Sequence, residues 1–360
     1  MAPLFIALDK EAQFNVKICV TGQHRELLDL AMSDFGINSH FDLEIMSPNQ
    51  DLSGLSAKIL TKMQAIYQRF KPELVLVHGD TTTSFCASLS AFYNNIKIGH
   101  VEAGLRTDSL LSPFPEEANR RLTGRLANFH FAPTNQARQN LINENVDPDT
   151  IIVTGNTVID ALMFISKKIE DSRQIRSQLY QKFLNFGVKL EKKENNILVT
   201  GHRRENFGED FDQILDAIKA SALKYGSINF IYPVHLNPMV KQPVFEKLSG
   251  INNICLIEPQ DYLSFVYLMK HCKFIISDSG GIQEEAPFLG VPVLVTRKNS
   301  ERLEAVEEGS SVLVGTNKDE IINEIDKFLD TSKTLDVPEK KNLYGDGTAC
   351  EFITKFIMGL

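Results

Sequence analysis

Residues 74–106 read LVLVHGDTTTSFCASLSAFYNNIKIGHVEAGLR, and this stretch decides the fold. The apolar, β-branched run at 74–77 predicts a strand that enters His78-Gly79-Asp80. Gly79 lets the backbone turn sharply, and Asp80 with the threonines at 81–83 can cap the next helix. A second run at 97–101 predicts another strand and delivers Glu102 to the same kind of position. Two carboxylates at neighbouring strand ends would face one crevice. A plain helix cap accounts for Asp80 taken singly, but not for a matching acid after the next strand.

Outward from this stretch the same alternation continues. Strands are predicted at 16–20, 128–131 and 151–153, then at 196–200, 229–233, 254–257, 274–277, 291–295 and 311–314. Amphipathic segments such as 55–70, 211–225 and 263–271 separate them. Such alternation implies parallel sheets covered by helices on both faces. Two sets of strands predict two Rossmann-like, doubly wound α/β domains, residues 1–166 and 167–344, with a charged helical connection over 166–193. A ligand would sit between them, beyond the carboxyl ends of the strands.

Composition narrows the function. At 360 residues the chain is long for one core and comfortable for two domains. A net charge of −8 without a long basic run argues against nucleic acid as a partner. No apolar run approaches the roughly 20 residues that span a bilayer, so no membrane association is expected. The five cysteines are scattered and form no CxxC pair, which predicts free thiols and fits the cytoplasm.

Further segments carry chemistry. In Ser112-Pro113-Phe114-Pro115-Glu116-Glu117, the proline suits a first helical turn and the glutamates its positive end. Dipole complementarity explains one glutamate, and a third acid converging on the strand ends points to proton transfer. The 196–200 strand runs into Gly201-His202-Arg203-Arg204, where His202 is a better functional candidate than a lone histidine. His235, after the next strand, has weaker support. The sharpest signal is Ser277-Asp278-Ser279-Gly280-Gly281-Ile282-Gln283-Glu284-Glu285, a strand-turn-helix whose N–H groups suit a diphosphate. Glu285 could bind ribose hydroxyls, and Arg302 a phosphate, unless it is a solvated surface arginine.

Together these segments resemble the non-hydrolysing UDP-N-acetylglucosamine 2-epimerases. The similar stretches are VHGDTTTS, GHVEAGLRT, SPFPEEANRRLTG, GNTVIDAL, VTGHRRENFG, YPVHLNP, SDSGGIQEEAP and YGDGTA, in order from about residue 21 to 347. The resemblance implies a GT-B-type pair of Rossmann-like domains with the active site in the cleft between them, usually as a homodimer. A last helix, 345–360, would pack back on the first domain. Asp80, Glu102 and Glu116 would be the acid/base carboxylates, with His202 by the diphosphate. Ser279, Gly280 and Gly281 would hold phosphate, Glu285 the ribose, and Arg302 a further part of UDP. Gln260 and Phe265 would frame the uracil, although Phe265 by itself reads as core.

The implied reaction interconverts UDP-GlcNAc and UDP-ManNAc. The proton on C2 is not acidified by a carbonyl, so UDP leaves C1 to give a 2-acetamidoglucal, then re-adds with protonation of the opposite face. Phosphate donors stabilise the leaving group electrostatically, and no metal or nicotinamide cofactor is needed. One departure stands out. Family members begin with a strand and a Gly-Thr-Arg-Pro-Glu loop, and the Lys-Met-Ala-Pro of their first helix resembles Met1-Ala2-Pro3 here. The chain is therefore expected to start inside that helix, without the strand beside 16–20 or the substrate-binding loop, and to be weak or inactive. A glycosyltransferase of the same fold, a hydrolysing epimerase and an inactive UDP-sugar-binding protein remain as alternatives. The segment 21–26 lies where a second, activating ligand would bind, although Glu26 reads equally as a surface helix residue.

Overall fold

The computed structural model describes residues 1–22, 25–45, 50–107, 109–330 and 342–360. Gln23 and His24, in the segment considered for a second ligand, lie outside the described residues. The chain forms two compact units, residues 1–164 with 344–360, and residues 165–343.

In the first unit, α1 (Ala2–Asp9), β1 (Cys19–Val20), α2 (Arg25–Phe35), β2 (Phe41–Asp42) and α3 (Leu52–Phe70) precede the quoted stretch. Then come β3 (Leu74–His78), α4 (Thr82–Tyr93), β4 (Lys97–Val101), α5 (Glu116–Leu126), β5 (Phe129–Ala132), α6 (Asn135–Asn143) and β6 (Ile151–Val153). The predicted alternation is thus present, and β3-β4-β5-β6 form one parallel sheet. The strand predicted at 16–20 is shorter than expected. Only Cys19 and Val20 pair, with Phe41 and Asp42 in β2, a strand that no β-branched run announces. Among the described residues this two-stranded sheet shares no ladder with β3. Leu74, Val75 and Leu76 of β3 are correspondingly only half-buried.

A side-chain cap starts α4 within the 80–83 stretch where one was expected. Thr81, not Asp80, caps α4, its hydroxyl accepting the Ser84 N–H at 3.1 Å. Asp51 caps α3 in the same way. One face of the sheet packs Ile59, Met63 and Tyr67 of α3 and Ala87 and Ala91 of α4 against Val77 and Ile98. The other packs Leu4 and Leu8 of α1, with Ile353 of the last helix, Ala349–Met358, against Val101 and Phe131.

The second unit begins inside α7 (Thr157–Asp171) and continues with α8 (Arg173–Asn185), the helical connection. There follow β7 (Asn196–Thr200), α9 (Glu209–Lys224), β8 (Asn229–Pro233), α10 (Pro238–Leu248) and β9 (Ile254–Ile257). The second half is α11 (Tyr262–Lys270), β10 (Phe274–Ser277), α12 (Ile282–Phe288), β11 (Val293–Val295), α13 (Leu303–Glu307), β12 (Ser311–Leu313) and α14 (Lys318–Leu329). All six strands are parallel, in the order β12-β11-β10-β7-β8-β9. That is the doubly wound order, and it reverses between β7 and β10. The loops after those two strands carry the sequence signals at 201–208 and 278–281. No helix among the described residues is long and apolar enough to cross a membrane.

Candidate active site

The first unit assembles an acidic group at its strand ends. β3 and β4 are neighbours in register, His78 opposite Val101, and the Gly79 amide donates to the Val101 carbonyl at 2.9 Å. Asp80 and Glu102 therefore leave adjacent strands as the sequence requires. Glu102 has φ +64°, a left-handed conformation that is costly for a residue with a side chain and recurs at functional positions. Its carboxylate meets the His78 imidazole, Nε2 to Oε2 at 3.2 Å. Beneath the turn, fully buried His100 bonds the Gly79 carbonyl through Nε2 at 2.8 Å. Burial pulls the His100 pKa down to about 3, so the ring is neutral and serves as a donor.

The acids are not left to repel one another. Arg120 of α5 is buried and bonds Asp80 with one nitrogen and Glu117 with the other, the latter at 2.7 Å. Glu117, fully buried, also accepts from Arg121 at 2.8 Å and from the Thr107 amide at 3.2 Å. The two glutamates that looked alike in sequence thus divide. Glu117 is a structural clamp, whereas Glu116 opens α5 half-buried. Asn119 reaches Thr82 at 3.4 Å, which fastens this helical turn to the start of α4.

The second unit builds a turn at the switch point. Asp278, after β10, is buried and accepts from the His202 and Arg203 amides at 3.0 and 2.9 Å and from the Asn206 side chain at 3.3 Å. It thereby ties the β7 loop to the β10 loop. The His202 ring stacks on His235, centroids 5.4 Å apart, so the weaker histidine candidate supports the stronger one. Desolvation lowers the His202 pKa, against the pull of Asp278.

In the Ser279-Gly280-Gly281 turn, the Ser279 amide bonds the Ser277 hydroxyl at 2.9 Å. A Cβ on Gly280 would stand 2.8 Å from Arg302 Nη1 and from Glu301 Oε1. Arg302 is buried, not the solvated residue it resembles in sequence. It bonds Glu284 at 2.8 Å and pairs with Glu301, which in turn meets Arg297 at 2.8 Å. Glu285 of α12 is buried and accepts the Tyr262 hydroxyl. Burial raises its pKa to about 7. Gln260 donates to the Glu258 carbonyl at 2.6 Å, while its buried Oε1 has no hydrogen-bond partner. Phe265 is half-buried on α11.

Sequence reasoning passed over His78, Arg120, Tyr262 and Arg297. Only the Glu117/Arg120 pair had a local signal, the three-residue spacing that puts both on one helical face.

Fold and site define a parallel α/β protein with a doubly wound switch point in one unit and a cluster of carboxylates at the strand ends of the other. The chain belongs to the UDP-N-acetylglucosamine 2-epimerase family, whose sequence profile matches residues 6–358. It is 50% identical to the UDP-N-acetylglucosamine 2-epimerase of Yersinia pestis over 356 residues, 99% of this chain and 94% of that one. The enzyme of the same name from Escherichia coli K12 is also 50% identical, over 98% of this chain and 93% of its own length. The crystal structure of UDP-GlcNAc 2-epimerase from Neisseria meningitidis bound to UDP-GlcNAc superposes with a TM-score of 0.94, at 46% identity. That match covers 100% of this chain and 96% of the other.

Proposed function

We propose that this chain is a non-hydrolysing epimerase that interconverts UDP-GlcNAc and UDP-ManNAc. The observation that carries this reading is Asp80 and Glu102 leaving adjacent parallel strands, in a chain 50% identical to named epimerases. Among Asp80, Glu102 and Glu116, one carboxylate takes the C2 proton as the C1–O bond breaks and UDP departs with the bonding pair. The 2-acetamidoglucal then accepts a proton on the opposite face of C2 as the diphosphate oxygen re-forms the bond to C1. Atoms balance without an oxidant, and neither face needs a group stronger than a carboxylic acid.

The second unit holds the leaving group. His202 and the amides of the Ser279-Gly280-Gly281 turn bind the diphosphate, and Glu285 takes the ribose hydroxyls. Arg302 acts from behind Gly280, close to where phosphate would rest. Gln260 and Phe265 receive the uracil, and the unpartnered Oε1 of Gln260 offers an acceptor to a base N–H. A homodimer fits the exposed Phe92 and Tyr93 at the end of α4, which a second copy could cover. The five unpaired thiols support a cytoplasmic location.

The test is proton NMR of UDP-GlcNAc incubated with the chain in D2O. A UDP-ManNAc anomeric signal, with deuterium at C2, is the expected result. Free ManNAc with UDP would instead mark a hydrolysing enzyme. Binding without turnover would mark an inactive UDP-sugar-binding protein.

A further inference from the structure

Glu285 is held by an arrangement that diphosphate binding does not require. Asp261 caps α11, accepting the Ser264 amide at 2.7 Å, and Lys182 of α8 locks that cap through Asp261 at 2.9 Å and the Ser264 hydroxyl at 2.8 Å. The residue placed by this clamp is Tyr262, the first of α11. Its hydroxyl donates to Oε1 of Glu285. The other oxygen, Oε2, points back along the turn, 3.8 Å from where a Cβ on Gly281 would stand. That oxygen lies on the side of the Ser279-Gly280-Gly281 turn.

A carboxylate buried at that place is able to swing toward, or away from, a ligand. Fixing one oxygen with a phenol removes the swing and leaves two lone pairs on the other, aimed at one place. Two adjacent hydroxyls match that pattern. Desolvation and the Glu285 charge hold the Tyr262 pKa well above 10, so the phenol remains a donor.

We propose that Tyr262 is a positioning residue for nucleotide specificity: it pins Glu285 so that the free carboxylate oxygen selects a ribose diol over a deoxyribose. This rests on the reading of Glu285 as the ribose partner. Calorimetry with UDP and 2′-deoxyUDP on the whole chain, Glu285→Gln and Tyr262→Phe separates the two ideas. The unaltered chain should prefer UDP by about tenfold or more, the worth of one hydrogen bond to a charged group. Both variants should lose most of that preference.

The pH dependence adds a readout that packing alone would not move. UDP affinity should weaken as pH falls through about 7, where Glu285 takes up its proton. Because the Tyr262 bond favours the carboxylate, Tyr262→Phe should shift that inflection to higher pH. Difluorotyrosine at 262, a stronger donor of nearly the same shape, should shift it lower, even if the phenylalanine variant fails to fold. If the unaltered chain does not bind UDP, or Glu285→Gln keeps the preference, the ribose reading fails and the proposal with it. If Glu285→Gln loses the preference while Tyr262→Phe, or the difluorotyrosine chain should the phenylalanine variant fail to fold, leaves preference and inflection in place, only the role of Tyr262 is overturned.

Discussion

Glu102 shows how much is settled by one residue. Its left-handed backbone, at φ +64°, turns the carboxylate toward His78 instead of letting it continue the strand. Such a conformation costs about 1–3 kcal/mol and persists only where the surroundings enforce it. Glu102→Gln keeps the shape and removes one of the three carboxylates proposed to move the C2 proton. It should lower kcat at least ~100-fold while UDP affinity, read by calorimetry, stays unchanged. His78→Asn removes the partner instead of the acid and should lower kcat by roughly tenfold with KM unaltered. Arg120 joins two of the acids from a buried position. Arg120→Met leaves Glu117 buried without one of its cations, and should cost about 3–5 kcal/mol in a urea melt. Asp80 and Glu102 were legible because strand periodicity fixes where a strand ends. Arg120 was not, since in EEANRRLTGR it looks like any arginine on a solvated helix. Which of Glu116 and Glu117 turns inward depends on how α5 is rotated against α4, and no local pattern records that.

At the scale of the element, several helices start on a side-chain cap, those at Asp51, Thr81 and Asp261 among them, and one such cap could not be read in full. Asp261 before α11 is an ordinary cap in sequence. The structure adds Lys182, 79 residues away, which fixes the cap and with it Tyr262. Asp261→Ala should cost about 1 kcal/mol by thermal melt, as cap losses do, and should also weaken UDP binding through Tyr262. The extent of the strand at 16–20 proved harder to read. A β-branched run predicts where a strand can form, but its length is set by the partner that pairs with it. Residues 16–20 pair only at Cys19 and Val20 for this reason. The turn at 279–281 was plain as a Ser-Gly-Gly signal. What its second residue needs glycine for was hidden, because Arg302 and Glu301 arrive behind Gly280 from after β11.

The whole molecule responds to pH through buried imidazoles. His100 and His130 lie opposite each other on β4 and β5, and burial pulls their pKa values to about 3 and about 4. The unfolded chain protonates both near 6.5, so it binds protons that the folded chain refuses. Their contribution is present in full above about 6.5 and lost as pH falls toward 4 and below, at up to ~1.4 kcal/mol per pH unit for each. Glu285 has the opposite sign. Its raised pKa means that the folded chain takes up a proton between about 4.5 and 7, which favours folding on acidification. Two histidines outweigh one glutamate, so urea midpoints should fall from pH 7 to pH 5. A midpoint that rises over that interval would refute the balance.

The sequence alone determined the alternation of strand and helix, the two larger parallel sheets and the strand ends at which Asp80, Glu102, His202 and the Ser279 turn stand, but not the separate β1-β2 pair. Each of these follows from periodicity and from turn chemistry within a few residues. Tertiary structure decided which charges neutralise one another, that Arg302 and Arg297 are buried, and that Tyr262 holds Glu285. These pairings join residues such as 80 with 120 and 262 with 285, which meet only once helices have packed on their sheets. A charged side chain commits to a buried partner only when packing has removed the competing water, and local sequence carries no record of that step.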